Sequence, residues 1–133
     1  MAASGSCLCG AVRFTYRGEI GPAAICHCAD CRKVTGSAFN VSVGVEAGLF
    51  SLSGGPLGRF TKPADSGREM TRHFCATCGS PIYTTSAAEP DRCYVKAGLF
   101  DDPAVVRPVH QSWTQSQVPW ATGLDTLPAS VRE

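Results

Sequence analysis

Cysteine spacing constrains this chain more than any other feature. Cys26-His27-Cys28-Ala29-Asp30-Cys31 sets three thiols in the pattern C-x-C-x-x-C, so a single turn of backbone can aim three sulfurs at one point. That arrangement suits a soft cation, because zinc takes about four ligands and accepts cysteine as thiolate. Four more cysteines fall in two pairs, Cys7 with Cys9 and Cys75 with Cys78, and Cys93 stands alone in a strand-like run. In the C-x-x-C-G knuckle at Cys75, backbone N–H groups of the turn can donate to the thiolates, and Gly79 relieves the crowding this produces.

Metal binding is a better use for eight cysteines here than disulfides. Residues Met1 to Cys7 carry no positively charged, apolar leader, and no run approaches about 18 apolar residues, so a cytoplasmic protein with no membrane partner is expected. Thiols stay reduced in that compartment. Cys7/Cys9 and Cys26/Cys28 are also too close in sequence to bridge within a pair, and would each need distant partners in a strained arrangement.

Two cysteine pairs on separate knuckles make a closed four-thiolate site, the usual form of a structural zinc, which would tie the N-terminal strand to the middle of the chain through Cys7, Cys9, Cys75 and Cys78. The triplet Cys26, Cys28 and Cys31 then lacks a fourth cysteine unless Cys93 supplies it. A three-ligand zinc with an open position is what catalytic sites show. His27, His73, His110, Cys93 or an acidic side chain could instead close the site, and the triplet could regroup with Cys75/Cys78. His27, between two ligands, is expected to point away from the metal and to be exposed or to support a ligand. Arg32 and Lys33 follow the triplet directly and could pair with a ligand carboxylate.

With 133 residues the chain is most simply one domain, 1–133. Its 14 glycines and 9 prolines point to many turns and few long helices. Strand-like stretches run through Ala11–Tyr16, Ala38–Val45, Leu49–Leu52, Leu57–Thr61, Met70–Phe74, Ile82–Thr85 and Cys93–Phe100, with a short apolar approach at Ala23–Ile25. Phe39, Val41, Val43 and Val45 share one face of the second stretch, expected to be core. The triplet reads as a loop, and Arg32–Ser37 as at most one helical turn. Trp113 and Trp120 lie in an aromatic tail that could close over the sheet. The expectation is an all-β domain of about seven or eight short strands. The net charge of +1, with no dense basic run, lacks the electrostatic footprint of a nucleic-acid partner.

Four motifs in order, Ser6-Cys7-Leu8-Cys9-Gly10-Ala11-Val12, Cys26-His27-Cys28-Ala29-Asp30-Cys31-Arg32-Lys33-Val34-Thr35-Gly36-Ser37, Phe74-Cys75-Ala76-Thr77-Cys78-Gly79-Ser80-Pro81-Ile82-Tyr83 and Gly98-Leu99-Phe100-Asp101-Asp102-Pro103, resemble the glutathione-dependent formaldehyde-activating enzyme family, also called the centromere protein V domain family. The resemblance covers nearly the whole chain. It implies short antiparallel strands in folded, tent-like sheets with zinc knuckles, and two zincs per chain. One would be structural on Cys7, Cys9, Cys75 and Cys78; the other would be catalytic on Cys26, Cys28 and Cys31. The implied activity is a carbon-sulfur lyase reaction run in reverse, joining formaldehyde to a small thiol such as glutathione to give S-(hydroxymethyl)glutathione. Arg32, Lys33 and Ser37 are candidates for binding the polar groups of that substrate. Where many relatives would carry a basic residue near the Pro119-Trp120 pair, this chain has Gln115 and Gln117.

Two other function classes fit the same cysteines. A non-catalytic zinc module for partner binding predicts four protein ligands on each metal and no thiol affinity. A thiol redox switch predicts that the triplet oxidises and releases zinc.

Overall fold

Strands account for most of the ordered backbone in the computed structural model, which describes residues 2–133. In chain order the elements are β1 (Ala3–Ser6), β2 (Val12–Tyr16), β3 (Ala23–Cys26), α1 (Ala29–Thr35), β4 (Asn40–Glu46), β5 (Phe50–Gly54), β6 (Leu57–Pro63), β7 (Glu69–Cys75), β8 (Pro81–Ser86), β9 (Arg92–Lys96) and β10 (Pro108–Ser112), with short 3-10 turns between several of them. The all-β class expected from the sequence holds. A three-stranded sheet runs β1-β2-β5 and a seven-stranded sheet runs β10-β3-β4-β9-β8-β7-β6. Pairing is antiparallel throughout except that β10 lies parallel to β3.

The core lies between the two sheets. In β2 the pattern is strict: Val12, Phe14 and Tyr16 are buried while Arg13 and Thr15 are exposed. Facing them, Val43 and Val45 of β4 and Cys93 and Val95 of β9 come from the large sheet, and Phe100 packs edge-on against Phe14 with ring centroids 5.2 Å apart. Each such side chain, fully buried, contributes roughly 1.5–3 kcal/mol. Because successive strand residues point to opposite faces, this core fixes which residues must lie on the other side of the large sheet.

That outer face carries Cys26, Asn40, Ser42, Gly44, Tyr94, Lys96, Thr84 and Arg72, aligned by the register Cys26↔Asn40, Ser42↔Lys96, Gly44↔Tyr94, Thr84↔Tyr94 and Arg72↔Thr84. The sheet curls around this face. In a flat sheet β3 and β6, five places apart, would be separated by about 24 Å. Yet Asp30, four residues past the end of β3, accepts from Lys62 Nζ of β6 on both oxygens, at 3.1 and 3.0 Å. The ion pair shows that α1 bridges the open side of a folded sheet.

Several local expectations need correction. The triplet is not a loop, and the helical part is longer than one turn: β3 ends at Cys26, and α1 runs Ala29–Thr35. The start signal is unusual, because Cys28 itself is the N-cap, its sulfur accepting from the Cys31 N–H at 3.3 Å in place of the customary oxygen. Gly36, left-handed at φ 64°, ends the helix. The strands are also more numerous than seven or eight, since β1 and β10 show little hydrophobic alternation. His27 is not exposed; it is 1% accessible. Of the predicted core face, Val43 and Val45 are fully buried, whereas Phe39 precedes β4 and packs edge-on against His27 at 5.4 Å. In the tail, Trp120 stays 63% exposed and does not close over the sheet.

Candidate functional site

All eight cysteines are free thiols, and seven of them form two clusters. Cys7, Cys9, Cys75 and Cys78 bring their sulfurs within 4.8 Å of one another, with Cys7 to Cys9 at 3.7 Å and Cys9 to Cys75 at 3.9 Å. These separations are far too long for a disulfide. They match a metal tetrahedron, in which bonds of about 2.3 Å put sulfurs about 3.8 Å apart. Donors already point at the sulfurs: the Val12 N–H lies 3.3 Å from Cys7 Sγ and the Ser80 hydroxyl 3.3 Å from Cys78 Sγ. The Ser80 hydroxyl, then the Ser80 and Cys9 backbone N–H groups, hold Cys78 down at about 5. The donor set fits zinc. Cys7 and Cys9 follow β1, and Cys75 closes β7, so the cluster joins the small sheet to the large one.

Cys26, Cys28 and Cys31 form the second cluster, with one sulfur each from the end of β3, the N-cap and the first turn of α1. Their titration is split. Burial, followed by the Cys28 sulfur and the charge of Cys26, pushes the Cys31 thiol up strongly. Cys26 moves the other way: burial opposes its thiolate, but the Ser112 hydroxyl and the Cys28 N–H outweigh it. Three sulfurs converging on one point cannot all ionise without a cation among them, so this set also fits a soft metal.

Among the described residues no further His, Cys, Asp or Glu joins this cluster. Cys93 lies on the core face of β9, opposite Val45, at 2% accessibility. Burial pushes its thiol up to about 11, as befits a packing residue. His27 Nε2 lies 2.7 Å from Gln111 Oε1 on β10, and its buried Nδ1 has no partner among the described residues. His73 stacks on Tyr83 at 4.1 Å, far along the sheet order from β3.

Cys26 and Cys31 line a cavity of about 340 Å³ on the curled face of the large sheet. Its other walls bring in Arg68, Arg72 and Lys96, and no Asp or Glu lines it. Lys96 is 8% accessible and donates from Nζ to Asn40 Oδ1 at 2.6 Å, while Asn40 Nδ2 donates to Ser42 Oγ at 2.8 Å. Burial lowers the ammonium pKa, and the negative charge of Cys31 works against that shift. Arg68 pairs with Glu89 at the rim, and Glu89 also accepts from the Tyr94 hydroxyl at 2.7 Å.

Of the substrate-binding candidates named from sequence, none lines this cavity. Lys33 lines a neighbouring one of about 280 Å³ with Asp30, Val34, Phe60, Lys62 and Arg72. Arg32 is half-buried on α1, and Ser37 is exposed just past the helix. The cations at the sulfurs come from β7, β9 and the loop before β7. Lys96 and Arg72 escaped notice in the sequence because each sits in a short, ordinary-looking strand. The available signal was that Lys96 shares its face with Tyr94 and opposes the apolar Val95 and Cys93.

A family model described as glutathione-dependent formaldehyde-activating enzyme matches residues 2–116. No curated protein gave a match. Among solved structures the chain is similar to the crystal structure of a Rhodobacter sphaeroides protein determined in a structural-genomics programme, with a TM-score of 0.62 and 19% identity, covering 82% of this chain and 99% of that one. That likeness bears on the fold alone.

Proposed function

Because the chain belongs to the glutathione-dependent formaldehyde-activating enzyme family, we propose that it is a zinc-dependent carbon-sulfur lyase or synthase that joins a small thiol to an aldehyde, or releases the thiol from the adduct. The observation that carries this reading is the three-cysteine cluster opening into a cavity that also holds a buried ammonium. Cys26, Cys28 and Cys31 would hold the second zinc, and Cys7, Cys9, Cys75 and Cys78 a structural one. Residues 1–133 act as one cytoplasmic domain in this reading, with a small thiol, and neither nucleic acid nor membrane, as partner.

Zinc held by Cys26, Cys28 and Cys31 would supply the positive charge that favours the thiolate form of a thiol at neutral pH. The remaining work falls to the chain. In the synthetic direction a carbon-sulfur bond forms at the aldehyde carbon, the carbonyl π bond breaks, and the thiol's proton ends on the former carbonyl oxygen. Lys96 Nζ, fixed by Asn40, has hydrogen-bond donors left to give that oxygen as its charge grows. The apolar and backbone walls around Gly44 and Ala24 limit water at the reacting atoms. In reverse, the carbonyl re-forms as the carbon-sulfur bond breaks, the hydroxyl proton passes through solvent to the departing sulfur, and Lys96 Nζ keeps its hydrogen bond to the oxygen.

Metal content per chain, measured on protein purified without chelator, tests the reading when combined with thiol titration calorimetry. About two zincs, falling to about one in Cys28→Ser, with saturable glutathione binding lost in the variant, is the expected result. Two zincs without thiol binding would point instead to a structural module and end the lyase reading.

A further inference from the structure

Three of the five cations around the two cavities are already engaged, and a fourth, Lys33, is exposed on α1 and lines only the cavity away from the sulfurs. Lys96 is held by Asn40, Arg68 by Glu89, and Lys62 by Asp30. Arg72 has no side-chain hydrogen bond or ion pair among the described residues, although it is only partly exposed and stands in the middle of a strand. It is also the residue that lines both cavities, the one at Cys26 and Cys31 and the one at Lys33 and Phe60. A guanidinium is planar and offers paired donors that match a carboxylate, and a half-buried one without a partner retains that capacity unspent.

We propose that Arg72 is the specificity-determining residue of the site, binding a carboxylate on the thiol whose sulfur lies at the Cys26, Cys28, Cys31 cluster. The inference rests on the thiol-binding reading above and adds to it the group that selects among thiols. Neither Lys96 nor Arg68 can serve as well. Lys96 is buried beside the sulfurs, where its remaining donors face the reacting oxygen, and Arg68 would have to leave Glu89. Arg72 stands on β7 at the junction of the cavities, so the carboxylate it selects lies at the end of the molecule away from the sulfur. The second cavity, walled by Val34 and Phe60, leaves room for the chain to continue past it.

Calorimetry on the zinc-loaded full chain with 3-mercaptopropionate, its methyl ester and 2-mercaptoethanol separates the possibilities. Wild-type protein should bind the acid about 10- to 100-fold more tightly than the ester, the span expected of a charge-assisted pair. Arg72→Met and Arg72→Gln, each checked by thermal melting and zinc content, should bring the acid down to the level of the ester while leaving 2-mercaptoethanol unchanged. A preference for the acid that survives both substitutions would assign the carboxylate to another cation and overturn the proposal. Equal binding of acid and ester by wild type would overturn it while leaving the thiol site standing. Absence of binding by all three thiols would remove the thiol site itself, and the role of Arg72 with it.

Discussion

Lys96 reaches to Asn40 on the neighbouring strand, Nζ to Oδ1 at 2.6 Å, and this bond fixes a buried ammonium in the cavity that Cys26 and Cys31 line. A buried ammonium held by one neutral acceptor is costly unless an anion joins it. The pair therefore makes sense as a receptor for negative charge at the sulfurs.

Lys96→Met should fold, since an apolar chain of similar length replaces a poorly compensated charge. Its turnover of the thiol adduct should fall about 100-fold, the usual loss when one donor to a developing oxyanion is removed. Steady-state kinetics with zinc content measured in parallel check this. Loss of zinc with unchanged turnover per bound metal would make Lys96 a counter-ion to the sulfurs only.

Cys75→Ser and Cys93→Ser should separate the two kinds of buried cysteine. Both residues are 0–2% accessible, but only Cys75 belongs to a sulfur cluster. Structural zinc contributes on the order of 10 kcal/mol to folding, so Cys75→Ser should not give a cooperative melt. Cys93→Ser should melt cooperatively, lower by about 1–3 kcal/mol for a hydroxyl in an apolar core, and keep its full metal content.

Gly44→Val should close the cavity without harming the fold. A Cβ at this position would meet the Arg92 guanidinium nitrogen at 2.7 Å and the Tyr94 ring at 3.4 Å, and the first is the end of a flexible side chain. Gly44 takes an ordinary strand conformation, so no backbone strain opposes the change. Thiol affinity should drop at least about tenfold while the melting temperature holds within a few degrees. Unaltered affinity would place the ligand elsewhere.

Glu89 gives the cavity rim a pH dependence. The Tyr94 hydroxyl, then the Arg68 guanidinium, hold its carboxyl below the ordinary 4.5. A carboxyl depressed on folding adds stability above its unfolded value and loses it as pH falls through the folded one. Glu89→Gln should thus melt lower than wild type at pH 7, by no more than about 1 kcal/mol because Arg68 is well exposed, and the two should converge as pH falls through the depressed folded value. A gap that persists in acid would rule out the charge as its source.

The sequence showed the sulfurs clearly and the cations poorly, for a physical reason. Cysteines that could hold one metal sit close in the chain, because a knuckle or a capped turn must present several at once, so Cys26, Cys28 and Cys31 declare themselves locally. Arg72 and Lys96 reach the same cavity only through the pairing of β7, β8, β9 and β4, a set of non-local registers that no short window contains. α1 was hidden because a cysteine, not Ser, Thr, Asp or Asn, caps it. β10 was hidden because its place is set by pairing with β3 and by His27, while its own residues are largely exposed.

The lone parallel pairing has a consequence for how the protein is made. Gln111, which holds His27 between two of the sulfurs' attachment points, leaves the ribosome 84 residues after its partner. For that interval the nascent chain presents a complete sulfur triplet with one flank missing. The sulfurs can therefore come together before the pocket is assembled, and the arrival of β10 becomes the step that finishes the site.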